Sequence, residues 1–237
     1  MGSHGLDVGC GSGLQCHPIA EAVGPGGHVT GLDIATEFLE VGEQLAKEAG
    51  LGDRISFKEG SAESIPFDDD TFDWVWSVDC VGYGPWEPIP LLEEMRRVTK
   101  PGGILAILAW SSERLLPGYP MIEAKLGATS PGIAPASKDM PPNRHFHRAL
   151  GWFRELGLRG LRAEVFSGSA HAPLGDEIRN ALEQMIAMRW VDVENELAEG
   201  DLAEYNRLCK SDSLDFILDH PDYYAFFTYS MFYGQVL

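Results

Sequence analysis

Apolar residues recur at two spacings along the first half of this chain, and the alternation between them lays out its elements. GLDV (5–8) and HVTGLDI (28–34) predict strands, with a helix between them at 14–23. EFLEVGEQLAKEAG (37–50) predicts a helix with Phe38, Leu39, Leu45 and Ala49 on one face, closed by Gly50. RISFKEG (54–60) and FDWVWSV (72–78) predict two further strands, the second rich in the Val and Trp that suit a buried β position. LLEEMRRVTK (91–100) sets Leu91, Leu92, Met95 and Val98 at helical spacing and is stopped by Pro101 and two glycines. GILAILAW (103–110) is the most apolar strand of all. Strands separated by single helices predict right-handed crossovers and a mostly parallel sheet covered on both faces. That is a doubly wound α/β architecture, which holds ligands beyond the carboxyl ends of its strands.

The second half reads differently. Residues 111–143 are rich in proline and poor in periodicity, which predicts a long loop over the carboxyl edge of the sheet, an active-site loop. A helix is expected at 144–158 and a strand at 161–167. Residues 175–220 predict two or three amphipathic helices, with Ile178, Leu182, Met185 and Ile186 in one stripe. YYAFFTYSMFYGQV (223–236) predicts a last strand with aromatic residues on both faces. MGSH (1–4) reads as the remnant of an expression tag. The expectation is therefore a single domain over 5–237, with a ligand-binding core at 5–110 and a helical insertion at 175–220 before the last strand.

Composition narrows the partners. The 237 residues carry 36 acidic and 18 basic side chains, a net charge of −18. Such a surface repels a phosphate backbone, and no basic stripe offsets it, so nucleic acid is excluded as a partner and a neutral or cationic small molecule is favoured. No apolar run approaches the ~20 residues of a membrane span. The four cysteines, Cys10, Cys16, Cys80 and Cys209, form no CxxC pair and no His/Cys cluster at zinc-ligand spacing. Free thiols in a reducing cytoplasm, and no metal, are the expectation.

The chemistry begins at GLDVGCGSG (5–13). A strand that runs into Gly9-Cys10-Gly11-Ser12-Gly13 and then into a helix lets a ligand approach the backbone without interference from Cβ atoms, and the helix offers free N–H groups to an anionic part of that ligand. The spacing is GxGxG, with Leu14 where the dinucleotide fingerprint has its third glycine, so a pyrophosphate is not indicated. Asp33, at the end of the second strand, stands where a carboxylate accepts hydrogen bonds from ribose hydroxyls, each worth roughly 1.5–3 kcal/mol.

Together, LDVGCGSG, GLDI, GSAESIPFDDDTFDWVWS and EEMRRVTKPGGILAI resemble the class I S-adenosylmethionine-dependent methyltransferases, in the small-molecule branch related to the ubiquinone- and menaquinone-biosynthesis enzymes. The likeness covers residues 5–110; beyond 111 it is one of topology. It implies the seven-stranded Rossmann-like sheet of that family, with S-adenosylmethionine as cofactor and S-adenosylhomocysteine as product. By the same likeness, Asp7 organises the loop near the amino group of the cofactor, and Gly9, Cys10, Gly11 and Gly13 pass beside its methionine part and ribose. Asp33 would hold the ribose hydroxyls and Ile34 the adenine face. Ser61, Ala62 and Glu63 would meet the adenine edge, with Ser61 standing where the family usually has Asp. Ser77 would lie beneath the sulfonium. The family also has helices ahead of its first strand; here almost nothing precedes Gly5.

Methyl transfer is an in-line displacement that asks mainly for alignment, which can supply ~7–11 kcal/mol. A base is needed only where the acceptor carries a proton, and Asp79, Tyr83 and His145 are the candidates for it. Each has a plainer reading: a hydrogen-bonding loop residue, a packed aromatic and a helix cap. Trp86 reads as a wall or cation–π surface beside the acceptor, or as packing. Tyr119, His147 and His171 are lesser candidates, and His145 and His147, two apart, are not expected to share a helical face. An apolar or aromatic acceptor is favoured by the aromatic content of the loops and last strand. A non-catalytic protein that binds S-adenosylmethionine or S-adenosylhomocysteine would carry the same motifs. Either a monomer or a homodimer is compatible with the sequence.

Overall fold

The computed structural model describes residues 2–84 and 86–237. In chain order its main elements are β1 (His4–Val8), α1 (Cys16–Ala22), β2 (His28–Asp33), α2 (Thr36–Glu48), β3 (Ile55–Glu59), β4 (Phe72–Val78), α3 (Pro88–Val98) and β5 (Thr99–Arg114). There follow α4 (Pro120–Gly127), α5 (Ser130–Ile133), α6 (Ala149–Glu155), β6 (Arg159–His171), α7 (Asp176–Arg189), α8 (Glu199–Cys209) and β7 (Tyr224–Gln235). The strands form one seven-stranded sheet in the order β3-β2-β1-β4-β5-β7-β6. Its first five strands are parallel, as the single-helix crossovers require. Gly102 N donates to the Val236 carbonyl at 2.8 Å and Val236 N to the Gly103 carbonyl at 2.9 Å, so β7 runs antiparallel to β5. The expected doubly wound, mostly parallel sheet is the one observed.

The chain divides into two compact units: Met1–Ala109 with Pro141–Val165 and Ser230–Leu237, and Trp110–Met140 with Phe166–Tyr229. In the first, Leu6, Val8, Val75, Leu105 and Ile107 are sealed from water, and Leu91, Leu92, Met95 and Val98 of α3 pack into the same core with Trp152 and Phe153 of α6. A separate cluster centred on Cys16, Ala20, Val29, Leu39 and Ala46 holds α1 and α2. Of the expected face of α2 Leu39 is buried and Phe38 exposed; Gly42 and Ala46 complete the buried stripe. A residue one position off the stripe turns about 100° away on a helix, enough to move it from core to solvent.

The second unit has its own core of Leu115, Leu116, Ile122, Leu126, Leu182, Ile186 and Trp190, closed by Tyr205, Leu208 and Phe216. Residues 111–143 are thus not a long loop: β5 continues to Arg114, and α4 and α5 follow. Each of those helices has a proline in its first turn, where the missing N–H is not needed. Buried Glu123 of α4 accepts the amides of Leu115 and Leu116 at 2.5 and 3.2 Å and so fixes the turn after β5. Within α7 the stripe holds for Leu182 and Ile186, but Ile178 faces water.

Of the residues read as a tag remnant, Ser3 and His4 join the sheet. His4 belongs to β1, its amide donates to Asp73 at 2.8 Å, and the Ser3 carbonyl accepts from His28 N at 3.0 Å.

Candidate active site

β1 ends at Val8, and the next five residues fold back against the end of β2. Gly9 N and Cys10 N both donate to the Leu32 carbonyl, at 2.8 and 3.1 Å. Gly11 N donates to Asp33 Oδ2 at 2.8 Å, and Gly13 N to the Cys10 carbonyl at 2.9 Å. These loop amides are turned inward onto the protein. Gly9, Gly11 and Gly13 all have positive φ, but what surrounds them differs. A Cβ on Gly9 would come within 2.4 Å of Cys80 Sγ and one on Gly13 within 2.4 Å of the Phe57 ring, whereas one on Gly11 would meet nothing within 4 Å. Of the three, only Gly11 has open space where a Cβ would stand, while Gly9 lines the cleft. The other two glycines are dictated by close packing as well as by conformation.

Asp33 organises the site. One carboxylate oxygen accepts from Gly11 N, the other from Ala35 N at 3.0 Å, which fixes the glycine loop and the entry to α2 at once. Gly60 N donates to the Asp33 backbone carbonyl at 3.0 Å and ties in the turn that follows β3. In that turn Glu63 N donates to Ser61 Oγ at 3.1 Å and Ser64 N to the Ser61 carbonyl at 3.2 Å.

Around Asp33 opens a cleft of about 310 Å³ lined by Gly9, Ile34, Ser61, Ala62, Glu63 and Trp86, with Leu32, Gly60, Cys80 and Leu91 completing it. Ile34 stands 70 % exposed, an apolar wall of the cleft. A carboxylate has about four lone-pair positions, and Asp33 uses two on backbone amides, so two remain for vicinal hydroxyls. Exposed apolar faces, that acceptor pair and the open side of Gly11 fit an adenosyl group with an amino-acid tail. Among the described residues, no group of three His, Cys, Asp or Glu side chains is arranged to hold a metal ion.

Several expected site residues lie elsewhere. Asp7 is 1 % exposed beneath the loop, where burial pushes its carboxyl up to about 7, and it accepts from the Cys16 thiol at 3.5 Å. It anchors the start of α1 and does not line the cleft. The Cys10 thiol is buried, held well above its ordinary pKa, and donates to the Gly11 carbonyl at 3.4 Å. Ser77 is fully buried: its hydroxyl donates to the Val8 carbonyl at 2.7 Å and accepts from Val81 N at 3.0 Å. It ties the end of β1 to the turn after β4, a structural knot in place of the expected floor beneath a sulfonium.

Of the proton-handling candidates, Asp79 is an exposed turn residue at φ 49°, its amide on the Leu108 carbonyl at 2.9 Å. Tyr83 sits half-buried in the turn that carries Cys80, edge-on to Phe146 with ring centroids 6.3 Å apart. His145 is exposed and caps a 3-10 turn, Nδ1 accepting from His147 N at 3.3 Å. Its ring does approach that of His147, at 5.1 Å, because a cap residue is extended and the two-residue helical offset does not apply. His147 is pulled below its ordinary pKa by partial burial and by His145. In the second unit, Tyr119 lies under the Arg207 guanidinium and His171 bonds the Ala172 carbonyl. The sequence reading missed Cys80 and Leu91 as lining residues; their signal was position alone, just after β4 and one turn into α3.

Residues 6–103 match the family described as a methyltransferase domain. Over 189 residues the chain is 32% identical to the demethylmenaquinone methyltransferase of Bacillus subtilis (strain 168), an alignment covering 72% of this chain and 77% of that one. The demethylmenaquinone methyltransferase of Geobacillus kaustophilus (strain HTA426) is 42% identical over 118 residues, and the chain spans about half of its length, 48%. Among solved structures, a putative methyltransferase from Bacillus halodurans C-125 superposes with a TM-score of 0.55 at 17% identity, covering 99% of this chain and 92% of that one. An S-adenosylmethionine-dependent methyltransferase from Aquifex aeolicus gives 0.52 at 17% identity, with 99% and 82% covered. These two share the fold.

Proposed function

This chain belongs to the class I S-adenosylmethionine-dependent methyltransferases, and from that membership we propose that its acceptor is a small, apolar, aromatic ring of the quinol or phenol class. The carrying observation is the 32% identity to a demethylmenaquinone methyltransferase, which runs over 189 residues, beyond the cofactor-binding core. The aromatic face of Trp86, 52 % exposed on the wall of the cleft, supports the same class.

When bound, the cofactor supplies a methyl group already activated by a sulfonium. The remaining work falls to the chain. Asp33 holds the ribose through the two lone-pair positions that Gly11 and Ala35 leave, and Ile34 and Ala62 present apolar surface to the base. Gly11 leaves room for the amino-acid tail. Trp86 and Leu91 exclude water beside the acceptor, and alignment is the main contribution. An acceptor that carries a proton would release it to solvent water at the open mouth of the cleft as it is methylated. Tyr83, carried in the same turn as Cys80, is the side chain assigned to orient that proton; Asp79 and His145 are assigned to turn and cap. Operation in the cytoplasm belongs to this reading and is supported by four free cysteines; among the described residues no helix is long and apolar enough to cross a membrane.

The test is incubation with methyl-labelled S-adenosylmethionine and a panel of naphthoquinols, phenols, amines and thiols, read by mass spectrometry. Label on the quinols or phenols is expected. Label confined to amines or thiols overturns the acceptor class, and bound cofactor with no labelled product overturns transfer itself.

A further inference from the structure

The sheet has two edges, β3 and β6, and they are built differently. β3 is five residues long and carries Lys58 and Glu59 at its carboxyl end, the short charged form that discourages pairing. β6 runs for 13 residues without a proline or a lysine, and among the described residues no strand pairs with its outer side. Such an edge presents a row of unpaired N–H and C=O groups to any strand that can lie beside it.

The part of β6 in the first compact unit, 159–165, reads RGLRAEV. Successive side chains alternate between the faces of a strand, so Leu161, Ala163 and Val165 share one face and Arg162 and Glu164 the other. Leu161 packs on the core beside Gly234, and Val165 is 66 % exposed. On the opposite face Glu164 Oε1 accepts from the Tyr233 hydroxyl at 2.5 Å, which orients the carboxylate and uses one of its two oxygens. Arg162 is exposed, and among the described residues no carboxylate stands within ion-pair distance of it.

The five residues 161–165 are complementary to themselves. Antiparallel pairing with a second copy, centred on Ala163, sets Leu161 opposite Val165 and Arg162 opposite Glu164, and the two-fold axis makes each pair twice. Cβ atoms directly opposite are about 4.5–5.5 Å apart, within reach of an ion pair. Moving the centre one residue either way sets Arg162 against Arg162 or Glu164 against Glu164, so charge selects the register. The chain as a whole carries a net charge of −18 and repels its copy, but 159–165 holds two arginines and one glutamate, which lifts that repulsion locally.

We propose that this edge of β6 is a homodimer interface, in which the strands of two copies pair antiparallel about Ala163 and the sheet continues from one copy into the other. The crossed Arg162–Glu164 pairs on one face and the apolar Leu161–Ala163–Val165 row on the other identify the partner as a second copy of this chain. Pairing over so short a stretch makes a small interface, so a concentration-dependent dimer is expected and not a permanent one.

Sedimentation velocity over a range of concentrations tests this, with the unfolding midpoint read for every variant. The parent is expected to pass from monomer to dimer as its concentration rises. Arg162→Glu and Glu164→Arg, each alone, replace both attractive pairs with repulsive ones and should weaken the dimer at least about fivefold. Both side chains are exposed, so the unfolding midpoints are expected to stay near that of the parent. Mixed in equal amounts, the two variants restore opposite charges across the axis and should dimerise with each other as the parent does with itself, a rescue that a folding defect could not produce. A parent that stays a monomer throughout overturns the proposal and leaves this edge to a different partner. So does a dimer that either reversal leaves intact, or a pair of folded variants whose mixture stays monomeric. A species larger than a dimer also overturns it, because a two-fold edge closes on itself.

Discussion

The amide of Gly11 donates to the carboxylate of Asp33 at 2.8 Å, joining two residues 22 positions apart in the chain. The contact converts a flexible glycine turn into a fixed wall, and Ala35 N on the other oxygen at 3.0 Å does the same for the start of α2. Asp33→Ala removes the acceptor for both amides and the anchor for the ribose together. Affinity for S-adenosylhomocysteine is expected to fall at least tenfold by calorimetry, and stability by about 1–3 kcal/mol. Asp33→Asn keeps one carbonyl oxygen for an amide and should recover part of the stability but little of the affinity. An unchanged affinity in Asp33→Ala would remove this residue from the site.

The glycines of the loop separate by function when each receives a methyl group. Gly9→Ala sets a Cβ 2.4 Å from Cys80 Sγ at a backbone with φ 76°, so both packing and conformation suffer. Gly11→Ala adds a Cβ in open space at φ 54°, where conformational strain of about 1–2 kcal/mol is the only structural cost. Thermal unfolding should therefore show the larger loss for Gly9→Ala. Gly11→Ala should nevertheless lose most of its cofactor affinity, because that open space is assigned to the ligand. A Gly11→Ala variant that binds like the parent contradicts the assignment.

What the sequence disclosed follows from which residues signal through pattern and which through fold. β4 was legible to the residue at 72–78, since alternating Val and Trp leave little else to form. Asp33 stands out as a carboxylate at a strand end, where a parallel sheet gathers its ligands, whereas Ile34 and the 61–63 turn are indicated only by the resemblance to the family. Ser77 bridges two backbones in the structure, and nothing in its own identity says whether a hydroxyl at a strand end does that or faces a ligand. The second unit was obscured by its prolines: Pro120 and Pro131 open helices, yet in a stretch without strong periodicity the same residues suggest a loop. β5 extends to 99–114 because its ends, TKPG and SSER, are polar residues carried along by neighbouring strands and not by their own apolar content.

Ser77→Ala tests that bridge. The substitution leaves Val81 N without its 3.0 Å acceptor in a fully buried position, for which about 1–3 kcal/mol of stability is expected to be lost. Cofactor affinity should fall less than in Asp33→Ala, because Ser77 acts only by holding the turn after β4. A loss of affinity with unaltered denaturant stability would return Ser77 to the ligand's surface.

Tyr83→Phe deletes only a hydroxyl from a half-buried ring that packs on Phe146. If that hydroxyl orients the proton of the acceptor, kcat/KM should drop tenfold or more while S-adenosylhomocysteine binds as before. His145→Ala, by contrast, removes a cap and should shift stability by about 1 kcal/mol with the rate retained. The reverse pattern would exchange the roles of the two residues.

Asp7 gives the protein a pH dependence of its own. Burial raises its carboxyl from 3.8 to about 7; the Cys16 and Trp76 side chains oppose that rise and the Asp33 charge adds to it. The folded chain therefore keeps a proton on Asp7 through a range in which the unfolded chain has released it. Between those two values the native state binds more protons than the unfolded one, so stability declines as pH rises from about 4 to about 7 and levels off above. At about 1.4 kcal/mol per unit, this group alone accounts for up to about 4 kcal/mol. Asp7→Asn has no proton to lose and should be free of this contribution. Urea unfolding of both proteins at several pH values should show the parent losing ground to the variant across that window, with the variant the more stable of the two above pH 7. A stability difference that stays constant with pH would mean that Asp7 is ionised in the folded protein, with water reaching it beneath the glycine loop.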